Sequence, residues 1–230
     1  MKKIGIIGGL SPESTLLYYK YIIEEYRRRS RNEYYPIIII YSVNFGRFAD
    51  YMRSGKHEKA YYVLEEALQA LENAGADIAL IAANTPHVFY EQLKERARIG
   101  LISIIDALAE RLLADGVERV GLLGTKYTLS HGFYRDALAR YGIETIVPEP
   151  HEIELVNEII FRELTRGVIS EASREKLTGI VMRLVEKGAQ GVALACTELP
   201  MILRGEVGGA KLYDTTRIHV LKVLDLAFQG

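Results

Sequence analysis

Cys196 is the single thiol among 230 residues, and its surroundings suit proton chemistry. It stands in the run Ala195-Cys196-Thr197-Glu198, after an apolar stretch and before two side chains that can hydrogen-bond or exchange protons. A thiolate at a strand end, close to a helix start, is favoured in its charged form. Such a group can take a weakly acidic proton from a substrate or return one to a carbanion. The alternative is an inert thiol, because free cysteines also pack as small hydrophobes.

A second segment of the chain matches this one and breaks at the thiol. Gly75-Ala-Asp-Ile-Ala-Leu-Ile-Ala-Ala-Asn-Thr-Pro86 parallels Gly188-Ala-Gln-Gly-Val-Ala-Leu-Ala-Cys-Thr-Glu-Leu-Pro200. Eight positions after the glycine stands Ala83 in the first run and Cys196 in the second. Lys3-Ile-Gly-Ile-Ile-Gly8 likewise matches Arg119-Val-Gly-Leu-Leu-Gly124, and Ile102-Ser-Ile-Ile-Asp106 matches Lys211-Leu-Tyr-Asp-Thr215. A period of half the chain is too long for a solenoid. It predicts two α/β lobes of similar wiring, with positions 83 and 196 as mirror partners across a cleft.

The elements that must position these residues follow from alternating patterns. Short apolar runs at 4–7, 37–41, 78–82, 101–105, 120–123, 144–147 and 192–195, with a last one from 211, read as strands. Amphipathic stretches from 13, at 57–74, 88–97, 107–115, 132–141, 152–165 and 170–187, and at the C-terminus, read as helices. Strands alternating with helices predict parallel sheets covered on their faces. The expected lobes are 1–99 with 208–230, and 100–207. Ligands of such sheets bind at the carboxyl ends of strands. Gly8-Gly9-Leu10-Ser11, Ala83-Asn84-Thr85, Gly124-Thr125 and Cys196-Thr197-Glu198 all fall there.

Other candidates have plainer readings beside the chemical one. Gly8-Gly9-Leu10-Ser11 can cradle an anion at a helix N-terminus, or form a tight turn; no dinucleotide fingerprint is present. His87 and His131 can be bases or solvent-facing helix-start residues. Arg47 can clamp a carboxylate or lie on the surface. The basic run Tyr26-Arg-Arg-Arg-Ser-Arg31 ends a helical pattern, where cations complement the dipole.

Composition removes whole classes of function. With 29 basic and 30 acidic residues the net charge is −1, so no field draws the chain to nucleic acid or an anionic membrane. One cysteine precludes an internal disulfide, and no Cys/His cluster has zinc spacing, so no metal is expected. The N-terminal apolar run is too short for a signal peptide, and no stretch reaches transmembrane length, which predicts a cytoplasmic protein.

Gly8-Gly-Leu-Ser-Pro-Glu-Ser-Thr15, Ala83-Asn-Thr-Pro-His87, Leu122-Leu-Gly-Thr125 and Ala195-Cys-Thr-Glu-Leu199 together resemble the aspartate/glutamate racemase family. The resemblance runs in order along essentially the whole chain. It implies two pseudo-symmetric α/β lobes with the active site in the cleft between them. It also implies racemisation without PLP or any other cofactor. In that family a cysteine of one lobe removes the substrate α-proton and a cysteine of the other returns one. The first cysteine precedes Asn-Thr, the place that Ala83 takes here.

The resemblance therefore implies an acidic-amino-acid racemase with Cys196 as one acid/base. The opposite group is absent at Ala83, or replaced by Thr85, Ser11 or a water. Ser11, Asn84, Thr85, Thr125, Thr197 and Glu198, with charge from Arg47 or Arg166, would bind the two substrate carboxylates. The alternatives are a one-cysteine decarboxylase, a cis–trans isomerase of small dicarboxylates, or an inactive or engineered Cys-to-Ala homologue that only binds them. The expected partners are a small dicarboxylate or acidic amino acid and a second copy of the chain.

Overall fold

The computed structural model describes residues 1–30 and 32–229, so Arg31 of the basic run lies outside the described residues. The chain divides into two compact units, Met1–Ile104 with His219–Gly230, and Ile105–Ile218.

In the first unit, β1 (Ile4–Gly8), β2 (Ile38–Ser42), β3 (Ile78–Ile81) and β4 (Gly100–Ile102) form a four-stranded parallel sheet of order β2-β1-β3-β4. Central strands of such sheets are buried on both faces, and so read as unbroken apolar runs rather than alternating ones. Every residue of β1 and β3 is buried. On one face Ile4, Ile6, Ile78 and Leu80 pack with Tyr18 and Ile22 of α1 (Pro12–Arg29), and with Val220, Val223, Leu224 and Ala227 of the C-terminal helix. On the other, Ile7, Ala79 and Ile81 meet the apolar stripe Ala60, Leu64, Ala67, Leu68 and Leu71 of α3 (His57–Asn73). That stripe repeats at three and four residues, as one helical face requires.

The loop from β1 into α1 is set by local chemistry. Pro12 opens the helix where its missing N–H costs nothing, and the Ser11 side chain accepts from the Ser14 amide at 3.3 Å. Gly9 has φ of +76°, and a Cβ there would stand 2.4 Å from the Val43 carbonyl oxygen. Only glycine lets the β1 exit pass the β2 exit this closely. Between β2 and α3 lies α2 (Phe45–Arg53), capped by Asn44, whose side chain accepts from the Arg47 amide at 3.0 Å.

The second unit repeats the wiring. β5 (Arg119–Gly124), β6 (Glu144–Ile146), β7 (Gly191–Ala195), β8 (Glu206–Val207) and β9 (Ala210–Asp214) form a sheet of order β6-β5-β7-β9-β8, parallel except for β8. Dropping β8 leaves the order of the first sheet. Two helices cover one face: α8 (Pro150–Arg162) and α9 (Glu171–Glu186). Glu149 and Glu152 at the start of α8 pair with Lys187 and Arg183 at the end of α9. Glu163 after α8 accepts from Ser170 and Ser173 at the start of α9, at 3.2 and 2.7 Å. The pair is therefore antiparallel.

The unit boundaries differ from those read from the chain. Residues 100–104 belong with the first unit because β4 pairs with β3, and residues 208–218 belong with the second because β9 pairs with β7. The first-unit portion of the C-terminal helix, α10 (Thr215–Phe228), begins only at His219.

Gly9→Ala should cost at least about 2 kcal/mol, since it adds a backbone clash to the 1–3 kcal/mol of left-handed strain. Gly55→Ala carries the same strain at φ of +68° with nothing within 4 Å, so its loss in thermal denaturation should be distinctly smaller. Equal melting temperatures for the two variants would contradict the packing argument.

Candidate functional site

Strand register puts the two candidate positions at equivalent places in their units. Ile4 pairs with Ile78 in the first sheet, and Val120 with Gly191 in the second. Five residues beyond these partners stand Ala83 and Cys196, each just past the carboxyl end of its strand. Ala83 is 8% exposed and so is Cys196.

Around Ala83 the first unit gathers three strand exits. The Val43 amide donates to the Gly8 carbonyl at 3.0 Å, and the Ala82 amide to the Ile7 carbonyl at 2.9 Å. The Ser14 hydroxyl donates to the Ala82 carbonyl, and Thr15 Oγ1 accepts from the Gly9 amide at 2.8 Å. Ser11, Asn84 and Thr85 thus share one end of the sheet with Ala83. Asn84 is buried and opens the short 3₁₀ turn Thr85–Phe89. Arg47 lies exposed in the first turn of α2, at the exit of β2, with Nε 3.3 Å from the Tyr51 hydroxyl and its guanidinium over the Tyr51 ring.

In the second unit, Gly124 pairs with Ala195, and a Cβ on Gly124 would lie 3.0 Å from the Ala195 carbonyl oxygen. The missing side chain lets the β5 exit approach the residue before the thiol. Thr125 follows directly and caps α6 (Lys126–Ser130), its Oγ1 accepting from the Thr128 amide at 3.3 Å. Cys196 Sγ donates to Glu198 Oε2 at 3.0 Å, and Thr197 Oγ1 donates to the same oxygen at 2.8 Å. All three residues are buried. Arg166 is exposed in the single turn Leu164–Arg166 after α8. Because α8 and α9 are antiparallel and α9 leads down into β7, that turn lies toward the carboxyl end of β7.

The thiol is not in the state expected from the chain alone. Burial, then the negative charge of Glu198 and the hydrogen bond to it, push the Cys196 thiol well above its ordinary value. The helix start expected to favour thiolate is only the one-turn Leu199–Met201, and Cys196 belongs to the apolar cluster of its unit. Cys196 is therefore a protonated thiol whose proton already points at a carboxylate.

The two histidine candidates sit in opposite surroundings. His87 is buried with both ring nitrogens engaged, and burial lowers it to about 4. His131 is exposed, stacked on Tyr127 at 3.7 Å with Nδ1 on the Tyr127 carbonyl at 3.0 Å. The chain alone gives no sign of Thr215, whose hydroxyl donates to the Leu194 carbonyl at 2.9 Å and steadies the end of β7. Among the described residues no cluster of three or more His, Cys, Asp or Glu could hold a metal. No helix there is long and apolar enough to cross a membrane.

Residues 7–223 match the family model described as Asp/Glu/Hydantoin racemase. The chain is 24% identical over 207 residues to the broad specificity amino-acid racemase RacX of Bacillus subtilis (strain 168), covering 87% of each. A solved structure from Yersinia pestis, named as a candidate Asp/Glu racemase, superposes with a TM-score of 0.94 at 35% identity over 100% of both chains. PH1733, named as an aspartate racemase homologue from Pyrococcus horikoshii OT3, gives 0.89 at 41% identity, covering 99% of this chain and 100% of its own.

Two measurements check this electrostatic reading. Ultraviolet thiolate absorbance, taken as the difference from a Cys196→Ala variant to cancel the tyrosines, should stay flat through pH 9, and Glu198→Gln should bring its onset to lower pH and speed alkylation by iodoacetamide. Lowering the thiol's pKa by one raises the thiolate fraction at a given pH about tenfold. An unchanged onset would mean that Glu198 does not hold the thiol protonated.

The second concerns His87 and the buried His219, lowered from 6.5 to about 4 and about 3, first by burial. The unfolded chain binds protons there that the folded unit refuses. Their stabilising contribution is full above pH 6.5 and falls away as pH drops toward 4 and 3. Urea midpoints measured from pH 7.5 to 4.5 should decline accordingly; a flat profile would contradict the burial of the pair.

Proposed function

Because this chain belongs to the Asp/Glu/hydantoin racemase family, we propose that it is an amino-acid racemase acting on aspartate or glutamate by cofactor-independent α-proton transfer. The observation that supports this most is the Cys196 thiol at the carboxyl end of β7, hydrogen-bonded to Glu198 Oε2 at 3.0 Å. An amino-acid α-proton is very weakly acidic, so a base must be generated where the substrate binds, and the developing carbanion must be stabilised by fixed donors and charge.

In this reading the Cys196 proton passes to Glu198, and the thiolate takes the α-proton. The electron pair of the broken C–H bond spreads into the substrate carboxylate. Inversion requires a new proton on the other face. Ala83 has no proton to give, so Thr85, Ser11 or a water is the donor. Ser11, Asn84, Thr85, Thr125 and Thr197 would bind the carboxylates, with Arg47 and Arg166 supplying positive charge.

One observation favours a second reading. Loss of CO₂ from a malonate-type acid leaves a carbanion that needs one proton and no base. A thiol held protonated by burial suits that step as it stands. A one-cysteine decarboxylase is therefore the alternative.

Incubation with D- and L-aspartate and glutamate in deuterated water separates the two. The racemase reading expects deuterium at the α-carbon, abolished by Cys196→Ser. Ala83→Cys should raise racemisation by roughly 10²–10⁴-fold, the worth of one positioned acid/base. Absence of exchange, together with CO₂ release from a substituted malonate, would replace the first reading by the second.

A further inference from the structure

Side chains take up backbone groups of the last strand of the first sheet and of the helix start just after it. β4 ends the order β2-β1-β3-β4, and an edge strand leaves a row of backbone groups without sheet partners. The Tyr90 hydroxyl donates to the Leu101 carbonyl at 3.0 Å. His219 Nε2 lies 3.0 Å from the Ile102 carbonyl oxygen, and the Ile104 amide donates to His87 Nε2 at 3.1 Å.

These contacts dictate the tautomers. A carbonyl oxygen only accepts, so His219 carries its proton on Nε2 and its Nδ1 accepts from the Tyr18 hydroxyl at 2.9 Å. A backbone amide only donates, so His87 carries its proton on Nδ1, which donates to the Ala83 carbonyl at 2.8 Å. The two rings meet edge to face at 5.9 Å, and His87 and His219 are 3% and 0% exposed. The titratable neighbours in ring or hydrogen-bond contact with the pair are the phenols of Tyr18 on α1 and Tyr90 on α4 (Tyr90–Arg96).

We propose that His87 is the positioning residue for the strand-end segment Ala83–Thr85, acting through one obligatory tautomer that ties the Ala83 carbonyl to the Ile104 amide. Ile104 is the last residue before the chain leaves the first unit, and His219 the first on its return. His219, in the opposite tautomer, fastens the same edge strand from that returning segment. Within the first unit, the strand-end loop, Ile104 and the end of β4 are thereby tied to one buried pair. Burial keeps both imidazoles neutral, so the two tautomers persist at neutral pH.

The kinetic part of the test rests on the racemase reading; the spectroscopic part does not. Imidazole ¹⁵N shifts at pH 6 should report neutral His87 protonated on Nδ1 and neutral His219 protonated on Nε2. His87→Asn keeps a donor at the Nδ1 position and loses the acceptor for Ile104. His87→Gln keeps that acceptor and loses the donor to Ala83. With the loop misplaced, His87→Gln should lower kcat for α-proton exchange by about 10–10²-fold, raise KM as Asn84 and Thr85 shift, and raise amide exchange at residues 84, 85 and 87. His87→Asn should keep most of kcat and raise exchange at Ile104 instead. The reversed tautomers, or equal kcat losses in the two variants, would overturn the proposal. If the wild-type protein exchanges no α-proton at all, the racemase reading fails, and the tautomers and the two amide-exchange patterns still decide the role of His87.

Discussion

The parallel backbone ladder between each central strand and the strand that carries the candidate site is the interaction on which the rest depends. β1 with β3, and β5 with β7, pair in the same register. That register decides which residue emerges first from the sheet at its carboxyl end. Burial holds it, because slipping a strand by one residue would exchange its two apolar faces. In the first unit those faces meet different partners, α3 on one and α1 with α10 on the other. The sheets therefore deliver one chosen residue, Ala83 or Cys196, to a defined height above their own unit.

What surrounds that residue then sets its chemistry. Cys196 meets a carboxylate through its proton, and apolar side chains through its sulfur. Both favour the neutral form and outweigh the backbone hydrogen bonds of Thr197 and Glu198, which favour the thiolate. In the racemase reading a base must therefore be made during turnover, with Glu198 as the acceptor already in hydrogen-bond contact. The same pair can act as an acid with no preparation. The two functional readings differ in which of these directions the substrate demands.

Much of this is readable in the chain because the halves share their wiring. Matching the Gly-Ala starts at 75 and 188 aligns positions 83 and 196, as the register does in three dimensions. The lobe boundaries are not readable, because a short strand carries no mark of which sheet it joins; that depends on whether β3 or β7 accepts it. The helices α2 and α6 escape sequence reasoning since each is brief and announced mainly by its capping residue, Asn44 or Thr125. The state of Cys196 is hidden because the burial that governs it arises only when distant segments of the chain pack together. The roles of His87 and His219 are hidden for a similar reason: Tyr18 and His219 are 201 positions apart in sequence, and no local pattern announces their contact.

At Ala83 the structural and the chemical duties fall on different atoms. The carbonyl oxygen is held by His87, while the methyl group makes no hydrogen bond and belongs to the apolar cluster of its unit. Exchange of that methyl for a thiol or a hydroxyl would leave the backbone anchor untouched. Position 83 is thus a site where chemistry can drift while the scaffold stays constant. A lineage built on this fold can gain, lose or change a polar group at this position by single substitutions, each starting from a folded ancestor.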